Sequence, residues 1–160
     1  MKNLKLNKEN IKIFICDFDG IFTDGKLTVY SDGKTSKNID YKDIMAIANL
    51  LKNDIKFAII SGEKSYAIDI LKEKFPAIDT FQNERNKIQV LKSLLEQYNI
   101  KPENTLYMGD DINDIACLNF VSYPITVQDA HQKVKCIENI FVTSNKGGCG
   151  AVREVVDSIL

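Results

Sequence analysis

The stretch KIFICDFDGIFTDG carries Asp17, Asp19 and Asp24 directly after the apolar run Ile13-Phe14-Ile15-Cys16. Carboxylates are seldom buried unless they are paired or bound to a cation. If the backbone stays extended, Asp17 and Asp19 point to the same side. Like charges that close raise one pKa unless a cation intervenes. A hard divalent cation such as Mg2+ suits carboxylate oxygens and water. Gly20 then permits a tight turn close to a ligand.

A second acidic cluster, Asp110, Asp111 and Asp114, lies in YMGDDINDI. Ser61 ends an apolar run in IISGEK, and Lys87 opens a helical pattern in NERNKI. A hydroxyl and an ammonium can grip phosphate oxygens while a carboxylate attacks phosphorus, which is established covalent chemistry. Each residue alone has an ordinary structural reading. Asp19-Gly20 can be a turn, Asp110-Asp111 the acidic start of a helix, Ser61-Gly62 a cap and Lys87 a solvated surface lysine. Their occurrence together, in order and at strand ends, favours a metal and phosphate site.

The elements that must position these residues alternate. Residues 11–18, 55–61, 79–81, 104–110, 121–126 and 139–142 read as strands. Helical spacing of apolar residues covers 43–53, 64–75, 86–99, 112–119 and 150–160. Such alternation predicts an α/β fold with a doubly wound, Rossmann-like parallel sheet in three layers. Ligands of such sheets bind outside the carboxyl ends of the strands. Residues 26–40 break the pattern. Ser31-Asp32-Gly33 is a turn signal between two short runs, which predicts a β-hairpin inserted after the first strand.

A chain of 160 residues is expected to form one domain spanning 1–160. Its formal net charge of −1 provides no field that would attract nucleic acid or an anionic membrane. The polar start MKNLKLNKEN lacks the apolar core of a signal peptide, and no run is long enough to span a bilayer. Cys16, Cys117, Cys136 and Cys149 show no metal-ligand spacing and read as reduced packing residues. The expected compartment is the cytoplasm. His131, the single histidine, reads as structural or exposed.

These residues resemble the four motifs of the haloacid dehalogenase superfamily of phosphohydrolases. Asp17-Phe18-Asp19-Gly20 with Thr23 resembles motif one, Ser61 motif two and Lys87 motif three. Gly109-Asp110-Asp111 with Asp114 resembles motif four. The resemblance implies that Asp17 is the nucleophile and that Asp19 protonates the leaving oxygen and later activates water. It also implies that Asp17, Asp110 and the Asp19 carbonyl bind Mg2+, with Asp111 and Asp114 in support. Gly20, Ser61, Gly62 and Lys87 would hold the phosphoryl group. The spacing leaves room for the hairpin but for no cap domain, so water exclusion would fall to a neighbouring subunit or a macromolecular substrate.

Within the superfamily, DFDGIFTDGKLTVYSDGK, QDAH (128–131) and GGCGAVREVVDSIL (147–160) resemble the 3-deoxy-manno-octulosonate (KDO) 8-phosphate phosphatases. That resemblance implies a Mg2+-dependent homotetramer acting on a phosphorylated sugar acid, with Lys42 and Asp43 at the substrate. It also leaves glycines 147, 148 and 150 to shape a flexible approach to the site. The chain departs from the pattern where specificity resides. Asp40-Tyr41-Lys42-Asp43-Ile44 stands where the family reads NVRDG, and Glu63 replaces an arginine. A lysine lacks the bidentate fork of arginine, and a glutamate repels an anionic sugar. A nonulosonate 9-phosphate is therefore an alternative substrate, and a non-catalytic regulatory homologue an alternative function. A phospho-receiver domain shares the residue types, but it carries its acidic pair early and its lysine last.

Overall fold

The computed structural model describes Leu6 and residues 8–160. Most of the polar start (residues 1–5 and 7) lies outside that range. Six strands form one parallel sheet: β1 (Ile13–Cys16), β4 (Lys56–Ile60), β5 (Asp79–Phe81), β6 (Thr105–Met108), β7 (Tyr123–Thr126) and β8 (Phe141–Val142). Their spatial order is β5-β4-β1-β6-β7-β8. The chain runs outward from β1 through β4 to β5, then returns to β6 and runs the other way. The order therefore reverses between β1 and β6, where open α/β sheets carry their ligand crevice. Register is direct, with Cys16 opposite Ile59 on one side and Met108 on the other.

All four residues of β1 are buried, as are all four of β6. A parallel sheet covered on both faces requires such continuous apolar runs. Helix α1 (Tyr41–Lys52) packs with α6 (Ala151–Ile159), and α3 (Lys87–Tyr98) packs with the short α4 (Ile115–Leu118). The amphipathic stripe of α6 buries Ala151, Val152, Val155, Val156 and Ile159. Helix α2 (Tyr66–Lys74) covers β5, and α5 (Gln132–Lys135) is a single turn. Asp40 caps α1 by accepting from the Lys42 amide at 2.9 Å.

The predicted hairpin is present but short. Strands β2 (Thr28–Val29) and β3 (Thr35–Ser36) pair antiparallel around a turn in which Gly33 has φ 81°. Leu27, Val29 and Tyr30 on it are exposed. No cap interrupts the sheet: β1 and α1 are separated by the hairpin segment, and β4 and β5 by α2. The four cysteines are free, but only Cys16 and Cys117 pack in the core, while Cys136 and Cys149 are exposed.

Strand β1 is shorter than the apolar pattern predicts, and the reason bears on the site. The Phe18 carbonyl accepts from the amides of Ile21, Phe22 and Thr23, so the chain turns sharply after Asp17. Phe18 and Phe22 stack with centroids 5.9 Å apart, and Phe22 meets Phe57 edge-on at 6.1 Å. Full burial of each ring contributes about 1.5–3 kcal/mol. The loop bearing the first carboxylates is thus pinned from below by aromatic packing.

Candidate active site

Each strand tip delivers one part of the site. Asp17 follows β1, and its amide donates to the Met108 carbonyl at 2.9 Å. That bond sets Asp17 beside Gly109 and Asp110, which follow β6. Ser61 follows β4, and Lys87 is the first residue of α3 after β5.

The centre is a buried ionic network. The Lys87 ammonium lies 2.6 Å from Asp17 Oδ2 and 2.9 Å from Asp114 Oδ1, and Lys87 itself is only 2% exposed. Asp114 is held from every side. Its Oδ1 also accepts from the Tyr107 hydroxyl at 2.8 Å, and its Oδ2 accepts from the Asp110 and Asp111 amides at 3.1 Å and 3.3 Å. Asp17 Oδ1 accepts from the Phe18 amide at 2.6 Å. Burial pulls the Lys87 pKa down, but Asp114 and Asp17 outweigh it, and the net shift is upward.

The negative charge is not fully compensated. Burial, then Asp114, pushes Asp17 up to about 7 despite Lys87. Burial, then Asp17 and Asp114, pushes Asp110 up to about 8. Asp110 Oδ1 is buried without a hydrogen-bond partner. Carboxylate oxygens of Asp17, Asp110 and Asp114 lie within 4.8 Å of one another. A hard divalent cation fits this donor set, because it would satisfy the orphaned oxygen and offset the excess charge. Asp114 is already saturated by four donors, which leaves Asp17 and Asp110 as the carboxylates free to hold it. Gly20, at φ 79°, faces Asp110, and any side chain there would overlap its carboxylate.

The structure places the other predicted residues as follows. Asp19 accepts both its strongest contacts from Lys37, at 2.6 Å and 2.8 Å. The two aspartates therefore contact different lysines, Asp17 sharing Lys87 with Asp114 and Asp19 pairing with Lys37. The Ser61 hydroxyl is buried and held in a turn with Glu63, donating to its carbonyl at 2.9 Å and accepting from its amide at 3.2 Å. Gly62 is half-buried beside Asn113. Asp111 is exposed and caps the turn that carries Asp114.

Two expected features lie in surroundings that the sequence did not suggest. Asp43 is fully buried, and its oxygens accept from the Gly150 and Arg153 amides at 3.2 Å and 2.8 Å. It caps α6 from within the core, and burial pushes its pKa to about 6. Lys42, on the neighbouring position of α1, is exposed. The glycines of the C-terminal loop are not a loose approach either. Gly148 donates to the Ile21 carbonyl at 2.9 Å, and a side chain on Gly147 would overlap the Gly20 carbonyl. Gly147 and Gly148 are glycines because the loop there packs backbone to backbone against residues 20–24. His131 caps α5, accepting from the Lys133 amide at 3.1 Å, and its own amide donates to the Asp110 carbonyl.

Sequence reasoning missed Lys37 and Tyr107. Lys37 is one of many lysines in a mixed-charge surface pattern, and nothing in the local sequence marks it. Tyr107 sits two residues before Gly109 in a strand, where its ring reads as core and its hydroxyl gives no signal.

A profile described as haloacid dehalogenase-like hydrolase matches residues 63–154, more than half of the chain. The 3-deoxy-D-manno-octulosonate 8-phosphate phosphatase KdsC of Escherichia coli strain K12 is 35% identical over 152 residues, covering 95% of this chain and 80% of that protein. Among solved structures, the corresponding phosphatase from Moraxella catarrhalis, in complex with magnesium, phosphate and KDO, superposes with a TM-score of 0.88. It is 28% identical and covers 94% of this chain and 86% of its own. The cobalt-bound phosphatase of Haemophilus influenzae gives a TM-score of 0.86 at 32% identity, over 94% and 87% of the two chains. The chain belongs to the haloacid dehalogenase-like hydrolases. Within them it is a phosphatase, similar over nearly its whole length to the octulosonate 8-phosphate enzymes.

Proposed function

We propose that this phosphatase hydrolyses the phosphomonoester of a sugar acid, KDO 8-phosphate or a related nonulosonate 9-phosphate, through an aspartyl-phosphate on Asp17. The observation that carries the reading is the placement of Asp17 at the switch point, 2.6 Å from a buried lysine and beside the orphaned Asp110 oxygen. The likeness to an enzyme solved with magnesium, phosphate and KDO supports the substrate class.

Asp17 attacks phosphorus as Asp19 gives its proton to the departing sugar oxygen. Asp19, now ionised, takes a proton from water, and the hydroxide released attacks the aspartyl-phosphate to free phosphate and regenerate Asp17. Lys87 orients Asp17 and, with Ser61, the turn at Gly62 and the Gly20 loop, holds phosphoryl oxygens. Asp17, Asp110 and the Asp19 carbonyl would hold Mg2+, with Asp111 and Asp114 fixing the loop behind it. When bound, the cation supplies positive charge for the phosphoryl group and the crowded carboxylates.

The working assembly we propose is a homotetramer built through the hairpin, whose exposed Leu27, Val29 and Tyr30 are the support. Residues 1–160 would act as one catalytic domain. Four free cysteines support a reducing compartment such as the cytoplasm. Among the described residues no helix is long and apolar enough to cross a membrane.

The test is a panel of phosphorylated sugar acids with Mg2+, read as relative kcat/KM. One sugar acid phosphate should stand above neutral sugar phosphates. A panel with no turnover in the presence of Mg2+ would favour the regulatory alternative that residues 40–44 and Glu63 motivate.

A further inference from the structure

One side of the site is controlled by a residue that no motif marks. The acid–base carboxylate of Asp19 has to face the departing oxygen, and its own loop does little to aim it. Thr23 contributes one long contact, at 3.4 Å to Oδ1. Lys37 contributes two short ones, at 2.6 Å and 2.8 Å, one to each carboxylate oxygen. A charge-assisted contact to both oxygens constrains the orientation of the carboxylate as well as its position.

Lys37 comes from outside the sheet, one residue past β3 of the hairpin. It also lines a groove of about 510 Å3 with Leu27, Glu63, Lys64, Ser65 and Tyr66, on the open side of the site. The side chains of Lys37 and Asp19 remain 19% and 31% exposed. The pair is thus part-buried, open enough for a leaving group or water to reach Asp19.

We propose that Lys37 is a positioning residue for the acid–base carboxylate: it reaches from the hairpin to hold one oxygen of Asp19, so that the other, when protonated, faces the leaving oxygen. The proposal rests on the phosphatase reading, in which Asp19 is the proton donor. An alkyl phosphate needs that proton, because an alkoxide is a poor leaving group. An aryl phosphate such as p-nitrophenyl phosphate needs it far less.

The experiment compares wild type, Lys37→Met and Lys37→Arg on p-nitrophenyl phosphate and on the best sugar acid phosphate of the panel, both with Mg2+. Misplacing a general acid should lower kcat for the sugar ester about tenfold or more in Lys37→Met while the aryl ester loses less than about threefold. KM and thermal midpoint should hold, and Lys37→Arg should recover part of the lost selectivity. Equal losses on both esters, or no loss on either, would overturn the role of Lys37 and leave the phosphatase reading standing. A wild type inactive on both esters would overturn both.

Discussion

The two aspartates of the first motif are two residues apart and are held in opposite ways. Asp17 and its lysine are interior, with side chains 8% and 1% exposed, and the lysine is shared with Asp114. Asp19 and its lysine are partly open and depend on a two-residue strand of a surface hairpin. A nucleophile at Asp17, as proposed, would have to meet phosphorus at one geometry, and a buried network holds it there. The proton carrier proposed at Asp19 would serve a leaving oxygen first and a water afterwards, which suits an anchor on a part-exposed element.

The largest expected effect tests the inner side of that comparison. Asp17→Asn should remove turnover on every ester, by more than about a thousandfold, because an amide cannot form the aspartyl-phosphate. Steady-state assays with Mg2+ check it, and residual turnover within tenfold of wild type would move the nucleophile elsewhere.

Lys87→Met should come next, with an effect on folding as well as on rate. It leaves Asp17 and Asp114 buried without their cation, at a cost of about 3 kcal/mol. Chemical denaturation at neutral pH reads this directly. The comparison fails if Lys87→Met and Lys37→Met destabilise equally.

The third prediction concerns pH. Burial and neighbouring charge push Asp17 to about 7 and Asp110 to about 8. The folded state therefore keeps protons that the unfolded chain, with carboxyls near about 4, gives up. Without divalent cations, stability should be highest at the acid end of this window and decline as pH rises from about 4 to about 8. Asp43, at about 6, adds a decline of the same sign over the lower part of the window. Added Mg2+ should flatten the part due to Asp17 and Asp110 and leave that of Asp43. Thermal midpoints measured across this range, with and without Mg2+, check it; curves that run parallel would mean the cation does not bind at these carboxylates.

The smaller effects separate the two regions further. Tyr107→Phe removes one buried hydrogen bond to Asp114, worth about 1 kcal/mol, and should lower the denaturation midpoint while the sheet persists. Lys26→Ala deletes a pair with Asp24 whose side chains are 83% and 39% exposed, and should change neither stability nor rate measurably.

How much of this was legible in the sequence follows the same division. The strands could be read because parallel strands buried on both faces are apolar throughout, as in Phe57-Ala58-Ile59-Ile60. The inner site could be read because its residues sit at fixed places relative to those strands. Lys87 would pass for a surface lysine by itself, and it is the order of the motifs that exposes it. The partners of Asp43 could not be read, because its place beside the substrate was inferred from neighbouring residues in a family pattern, while Gly150 and Arg153 are more than a hundred residues away in sequence. Lys37 was hidden for a similar reason. Its contact depends on how a hairpin folds back, and a two-residue strand with exposed side chains leaves no periodicity to read.

The backbone clasp between residues 147–148 and 20–24 has a consequence for biosynthesis. Residues 20–24 are translated well before the glycines that brace them and before the helix that Asp43 caps. A ribosome-bound chain can assemble β1, β4 and β6 well before that brace exists. The loop should thus be fully braced only once residues 147–148 have left the ribosome.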